Sequence, residues 1–393
     1  MKKPPRVAIL HQGCIPWYRK KFYERLNVKL LGELSVVAGS NLPGYSIKEA
    51  TGPFDFDIVN TKNLSLHVFG RIVVIQPSAV RLLRRQIDVF VFGHEFKYLT
   101  NWLLLLYAKI AKKTVIFWGF GYHKKSDSRF AQRLSLSAAR CANGYLAYTE
   151  GGRNNLIARG FDEGRVFSVQ NTIDVEEERR TAALVSELER ERLKSELGIT
   201  ANSIIFCMLG RLAEKKRPLD FFEFLNGVRQ QVEVPIWGFV IGTGPMFKTM
   251  ESLCKNDSNI MMFGYVEGRR FAELLTIADV LVSPGSVGLN VVQGFAYSLP
   301  HITRRDVEHS PEVEYLIDDA NSKIAGGMAE MIDHGVRCVN DTSFRSRLKG
   351  GALASIERFS VEAMADKFSD AIVRIYTARQ KKINRTAKKI DGT

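Results

Sequence analysis

Short apolar runs punctuate the first half of the chain at Val7–Leu10, Leu34–Ala38 and residues 73–75, 89–92, 114–118 and 145–148. The same punctuation returns at Ile204–Leu209, Ile236–Ile241, residues 260–263 and Val280–Ser283. Brief, often β-branched runs separated by segments of helical spacing predict βαβ units, because parallel strands are buried on both faces and need a crossover to rejoin the sheet. Two such series predict two α/β domains. Between them, residues 175–197 are rich in Glu and Arg, and Leu184, Leu188 and Leu193 form only a modest stripe, which predicts an exposed connecting helix. Near the end, Ser360 is a candidate N-cap for a helix whose Val361, Met364, Ala365, Phe368, Ile372 and Ile375 share one face. The division read from this pattern is 1–174, 175–359 and a final segment 360–393.

Length agrees, since 393 residues exceed what one ordinary core organises. A chain that is 45% apolar and 25% charged falls among ordinary folded soluble proteins. Its five cysteines are scattered without a CxxC pair, which predicts a reducing compartment and no metal site of the zinc type. The basic N-terminus leads into an apolar run of only four residues, shorter than a signal-peptide core. The longest apolar stretch, residues 102–110, is broken by Lys109 and falls well short of the ~20 residues that span a bilayer. A cytoplasmic protein is expected.

Charge changes the picture once it is divided along the chain. Residues 1–174 hold 26 Lys and Arg against 12 Asp and Glu, residues 175–373 hold 23 against 29, and residues 374–393 hold 7 against 1. A basic first half suits nucleic acid, an anionic membrane or a phosphorylated substrate. No helix-turn-helix, zinc-finger or RNP-like pattern accompanies it, so nucleic acid is not the expected partner. Arg81, Arg84 and Arg85 stand beside Leu82 and Leu83, and Trp102 with leucines 103–106 precedes Lys109, Lys112 and Lys113. That arrangement fits peripheral docking on anionic headgroups, and equally a buried core helix with a solvated basic end.

In parallel α/β sheets ligands bind beyond the carboxyl ends of the strands. After Ile204–Leu209 comes Gly210-Arg211-Leu212-Ala213-Glu214-Lys215-Lys216, a glycine and then two separated cations. The planar guanidinium of Arg211 and the point charge of Lys216 can together offset a diphosphate, although a solvated basic helix start has the same residues. Ile236–Ile241 ends in Gly242-Thr243-Gly244-Pro245, where glycines admit a ligand or merely a tight turn. Val280–Ser283 is followed by small residues 284–288 running into a helix through Leu289, Asn290 and Gln293. Gln293 has both a donor and an acceptor for a ribose diol, or is an ordinary helix glutamine.

The order of these loops resembles the nucleotide-binding half of the retaining GT-B glycosyltransferases of family 4. The resemblance is carried by GRLAEKK (210–216), FVIGTGP (239–245), FGYVEGRRFAELLTIADVLVSPG (263–285) and GLNVVQGFAYSLP (288–300). It extends through YTEGGRNNLIARGFDEGRVFSVQNTID (148–174) and IPWYRKKFYERL (15–26), nearly the whole chain. It implies two Rossmann-like domains facing across a cleft, with the 360–376 helix crossing back onto the first domain ahead of the basic tail. Arg211 and Lys216 would hold the donor diphosphate, Gly288 and Leu289 would offer backbone to sugar and phosphate, and the segment at Gly264 and Tyr265 would lie against the base. Gly13, after the first strand, can let backbone approach the diphosphate from the opposite wall or serve a tight βα turn, and His123, displaced by a few residues from where the family often carries a histidine, is the candidate cleft histidine, with His94 the other candidate.

The resemblance has a departure. The family commonly carries two glutamates eight residues apart in the last loop, where this chain has Gly285 and Gln293. Relatives with a Pro-Gly-x-Val-Gly-Leu loop resemble transferases of surface-polysaccharide assembly. The implied activity is retaining, metal-independent transfer of a hexose or deoxyhexose from a nucleotide diphosphate sugar, with no further cofactor, to a saccharide or lipid-linked acceptor such as a lipopolysaccharide precursor. A sugar-nucleotide epimerase or hydrolase, or a non-catalytic saccharide- or partner-binding protein, are the alternatives.

Overall fold

The computed structural model describes residues 4–42, 48–68, 71–95, 97–121, 129–255 and 257–390. The chain divides into two compact units, one built from residues up to 171 and from 361 onward, the other from residues 172–360.

In the first unit the strands are β1 (Val7–Leu10), β2 (Leu34–Ala38), β3 (Asp57–Asn60), β4 (Leu64–Val68), β5 (Arg71–Ile75), β6 (Val89–Gly93), β7 (Thr114–Gly119), β8 (Gly144–Ala147) and β9 (Val166–Ser168). Among the described residues, seven of them form one parallel sheet in the order β3-β2-β1-β6-β7-β8-β9. Alternate residues of a strand face opposite sides. Val7 and Ile9 thus join a core with Phe22 and Leu26 of the helix Lys20–Lys29 and with Phe368 and Ile372 of the helix Val361–Ile390. Ala8 and Leu10 join a second core with Leu82, Leu104 and Leu156. The predicted strand at 73–75 lies elsewhere: β5 pairs with β4 as an antiparallel hairpin outside the parallel sheet.

In the second unit, β10 (Ile204–Leu209), β11 (Ile236–Ile241), β12 (Ile260–Gly264), β13 (Val280–Ser283), β14 (His301–Arg304) and β15 (Ser322–Ala325) form a parallel sheet in the order β12-β11-β10-β13-β14-β15. Ile204, Phe206 and Met208 pack with Phe221, Phe224, Leu225 and Val228 of the helix Asp220–Arg229 on one face. The expected connecting helix is two helices, Val175–Ala183 and Glu187–Glu196. The break has a local cause. Ser186 accepts from the backbone of Glu189 while the Glu189 carboxylate accepts from the backbone of Ser186, a capping box that starts a new helix there.

Candidate functional site

The carboxyl edge of the second unit is assembled by glycines that bring backbone against backbone. Gly242 holds φ of 139°, and a Cβ on it would lie 1.9 Å from the Gly210 carbonyl oxygen. A Cβ on Gly244 would lie 2.3 Å from the Leu212 carbonyl oxygen. The loops are then laced together: Gly210 N–H donates to Ile241 O at 2.9 Å, Leu212 N–H to Thr243 O at 2.9 Å and Gly242 N–H to Gly264 O at 2.7 Å. Gly242 and Gly244 therefore serve close loop packing. Gly210, at φ of 124°, is different, because a Cβ there meets nothing within 4 Å and the edge is open beside it.

Arg211 is exposed, immediately after that opening. Lys216 closes a single 3-10 turn, Glu214–Lys216, which Arg217 ends by entering the left-handed region at φ of 48°. The Lys216 ammonium donates to the Ser286 carbonyl oxygen. Burial, reinforced by the Lys215 charge and opposed by Glu312, pulls its pKa down to about 8. A cation held in this way gains from an arriving anion.

The 284–288 loop is clamped onto this turn. Ser286 N–H donates to Lys215 O at 2.9 Å, and a Cβ on Gly285 would fall 2.4 Å from the Lys216 carbonyl carbon and 2.6 Å from the carbonyl oxygens of Lys215 and Lys216. With the loop so packed, position 285 has no room for any side chain, carboxylate included. Val287 N–H donates to His309 Nδ1 at 3.1 Å. Gly288 N–H donates to Asn290 Oδ1 at 2.9 Å, and the buried Asn290 amide in turn donates to Ser283 Oγ at 2.9 Å. Asn290 is thus a brace of the loop and the Gly288 N–H is engaged by it. Leu289 is half-buried at the N-cap of the helix Asn290–Ala296.

Gln293, one turn into that helix, hydrogen-bonds Glu178, whose carboxylate also accepts from Tyr297 OH at 2.7 Å. Burial raises the Glu178 pKa, and the two donors oppose the rise. Tyr265 is exposed and its hydroxyl donates to Glu267 at 2.7 Å. Glu178 and His309 were missed in the sequence. His309 follows β14, a strand with too few apolar residues to be read as one, and nothing in the helix Val175–Ala183 distinguished Glu178 from its acidic neighbours.

In the first unit, the Gly13 carbonyl accepts from Gly39 N–H at 2.6 Å and from Asn63 Nδ2 at 2.9 Å, so Gly13 knits the loop after β1 to its neighbours. His94 Nδ1 lies 2.8 Å from Tyr145 OH. His123 lies outside the described residues. His11, which no sequence motif marks, stacks on Trp118 at 3.9 Å and meets Tyr148 OH at 2.6 Å. Burial, then the charges of Arg19 and Lys97, hold its pKa well below the ordinary value. Arg19, 1% exposed, spans Trp118 at 4.8 Å and donates to Asn171 Oδ1. Among the described residues, no group of His, Cys, Asp and Glu has the arrangement of a metal site.

Residues 189–321 match the family model described as glycosyl transferases group 1. No curated protein matches the chain in sequence. Among solved structures, HepE of Anabaena in complex with UDP is similar over 93% of this chain and 99% of its own, with TM-score 0.70 and 13% identity. A glycosyltransferase from Rickettsia africae is similar over 95% and 99%, with TM-score 0.69 and 13% identity. The lipopolysaccharide outer core galactosyltransferase WaaB is similar over 93% and 98%, with TM-score 0.62 and 16% identity. The fold is GT-B: two Rossmann-like units, each a parallel sheet with helices packed around it.

Proposed function

We propose that this protein is a glycosyltransferase that moves a hexose or deoxyhexose from a nucleotide diphosphate sugar to a saccharide or lipid-linked acceptor, in the assembly of surface polysaccharide or lipopolysaccharide. The observation that carries this reading is Lys216, a half-buried ammonium with a lowered pKa, held on the Ser286 carbonyl and lying 3.5 Å from where a Cβ on Gly288 would stand. Arg211 and Lys216 would neutralise the departing diphosphate without a metal. Retention would follow from departure and attack on the same face of the sugar. The UDP complex of HepE and the galactosyltransferase designation of WaaB support the donor class.

The closed position at Gly285 favours a second reading, a non-catalytic sugar-nucleotide or saccharide binder. Labelled nucleotide sugars offered with membrane lipid separate the readings. Transfer to lipid supports the transferase, free sugar or an epimer supports a hydrolase or epimerase, and binding without turnover supports the binder. For the transferase, Lys216→Ala and Arg211→Ala are each expected to lower turnover on the order of 10²–10³-fold with the fold intact. Near-normal rates in both would sink the assignment.

We also assign the protein a peripheral place on the cytoplasmic face of the inner membrane. Among the described residues no helix is long and apolar enough to cross a membrane. The helix Leu99–Ile110 buries Leu104 and Ala108, yet exposes Leu103, Leu106 and Ile110 by 54%, 59% and 74%. Val80 and Leu83 are exposed on the adjoining 3-10 helix Pro77–Arg84. Residues 77–113 carry seven Lys and Arg against two Asp and Glu, so the apolar stripe is set in positive charge, as an anionic bilayer surface requires. Co-sedimentation with phosphatidylglycerol vesicles is expected to fall steeply with salt and with Leu106→Glu. Equal sedimentation with phosphatidylcholine, or none with either, counts against it.

A further inference from the structure

The second unit's ligand loop is held by a side chain that no motif announced. The His309 ring bridges two backbone groups, taking the Val287 N–H at 3.1 Å on Nδ1 and meeting the Arg304 carbonyl oxygen at 2.7 Å with Nε2. An amide N–H only donates and a carbonyl oxygen only accepts, so the ring must be neutral with its proton on Nε2. The next residue continues the grip, Ser310 N–H donating to Val287 O at 3.2 Å. The far end of the clip is firm, because Arg304 is itself buried and paired with Asp220 at 3.2 Å and with Asp306. Val287 therefore has both main-chain groups tied to residues 309–310, while Ser286 has both tied to Lys215 and Lys216.

We propose that His309 is a positioning residue of the anion site: its neutral ring clips the 286–288 backbone in the one arrangement that holds the Lys216 ammonium in place. The proposal rests on the reading of that loop as the diphosphate site. A second proton on Nδ1 would remove the Val287 bond and set a cation near Lys216, so acid releases the clip. Burial lowers the His309 pKa, the bond to the Arg304 carbonyl opposes the fall and the Lys216 charge adds to it, a net shift that favours the neutral ring. The surrounding charged and titratable groups are Lys216 on its turn, His301 on β14, and Arg304 and Asp306 beyond it, with Glu308 and Glu312 flanking in the chain.

The test is calorimetric titration of the full chain with UDP, GDP and ADP between pH 5 and 7.5. His309→Asn keeps an amide oxygen for Val287 and has no proton to gain, whereas His309→Ala removes the clip. His309→Ala is expected to weaken nucleotide binding about tenfold at pH 7.5, and His309→Asn about twofold or less. Wild type is expected to lose about fivefold to tenfold more affinity than His309→Asn on going to pH 5. The nucleotide's own titration is common to both and cancels. Should His309→Ala fail to fold, the paired profiles of wild type and His309→Asn still decide. Parallel profiles overturn the clip while leaving the anion site standing, and tighter wild-type binding in acid overturns it in favour of a direct His309 cation. No binding of any of the three nucleotides by wild type overturns both the clip and the site reading beneath it.

Discussion

The two units present carboxyl edges built from different materials. In the second, Gly242, Gly244 and Gly285 bring main chains together, and the bonds that shape the edge run mostly between backbone groups. In the first, the edge is shaped by side chains: His11 on Trp118, Arg19 across the same ring, and Tyr148 closing on His11. Arg19 Nε, Trp118 Nε1 and Gln170 Oε1 are buried there without a hydrogen-bond partner among the described residues, and Gln170 holds φ of 65°. A backbone-built edge is rigid and tolerates little substitution. A side-chain-built edge trades some local stability for a surface whose chemistry changes one residue at a time.

The largest effect is expected from a methyl group in the second unit. Gly242→Ala should cost roughly 3–4 kcal/mol, combining a forbidden φ with overlap on the Gly210 carbonyl, and Gly210→Ala about 1–2 kcal/mol from φ strain alone. Urea unfolding measures both, and equal costs would show that close packing does not distinguish the two glycines.

Removing the guanidinium from the first unit probes the other edge. Arg19→Ala should lower stability by about 2–3 kcal/mol through lost packing and cation–π contact, with UDP affinity unchanged. A tenfold loss of UDP affinity with stability intact would make Arg19 a ligand group and erase the contrast.

The smallest effect sharpens the comparison through pH. The Lys216 pKa is lowered in the folded protein to about 8, so between about pH 8 and the ordinary lysine value near 10.4 the unfolded chain binds the proton that the folded one has released. The Lys216 contribution to stability therefore rises with pH across that window, while diphosphate affinity falls by at most about tenfold per unit. Thermal melts and titrations should show these opposite slopes in the difference between wild type and Lys216→Met, because Lys109 and Lys367, lowered by burial, titrate in both.

Much of the fold was legible because most strands are continuous apolar runs buried on both faces. The failures have physical causes. Asp57–Asn60 is an edge strand, half solvated and polar, and His301–Arg304 is buried despite its composition because Thr303 donates to Ser283 O at 2.8 Å and Arg304 pairs with Asp220 and Asp306. Missing β14 hid the loop behind it, and with it His309. In the second unit, strand ends and glycines pointed to the loops that meet, since Lys216 and Ser286 lie in two of them. What the glycines do there was not legible, because admitting a ligand and admitting another backbone require the same missing Cβ.

The helix Val361–Ile390 gives the first unit Met364, Phe368, Ile372 and Ile375, which fill one side of a sheet whose strands all precede residue 169. During synthesis the ribosome delivers those strands before this covering, with the whole of the second unit between them. Residues 172–360 are contiguous and can close their core while one face of the earlier sheet is covered only in part, by the helix Lys20–Lys29. The order of maturation is thus inverted with respect to the order of translation. A lesion in residues 361–375 will therefore be felt as instability of a sheet encoded almost two hundred residues upstream.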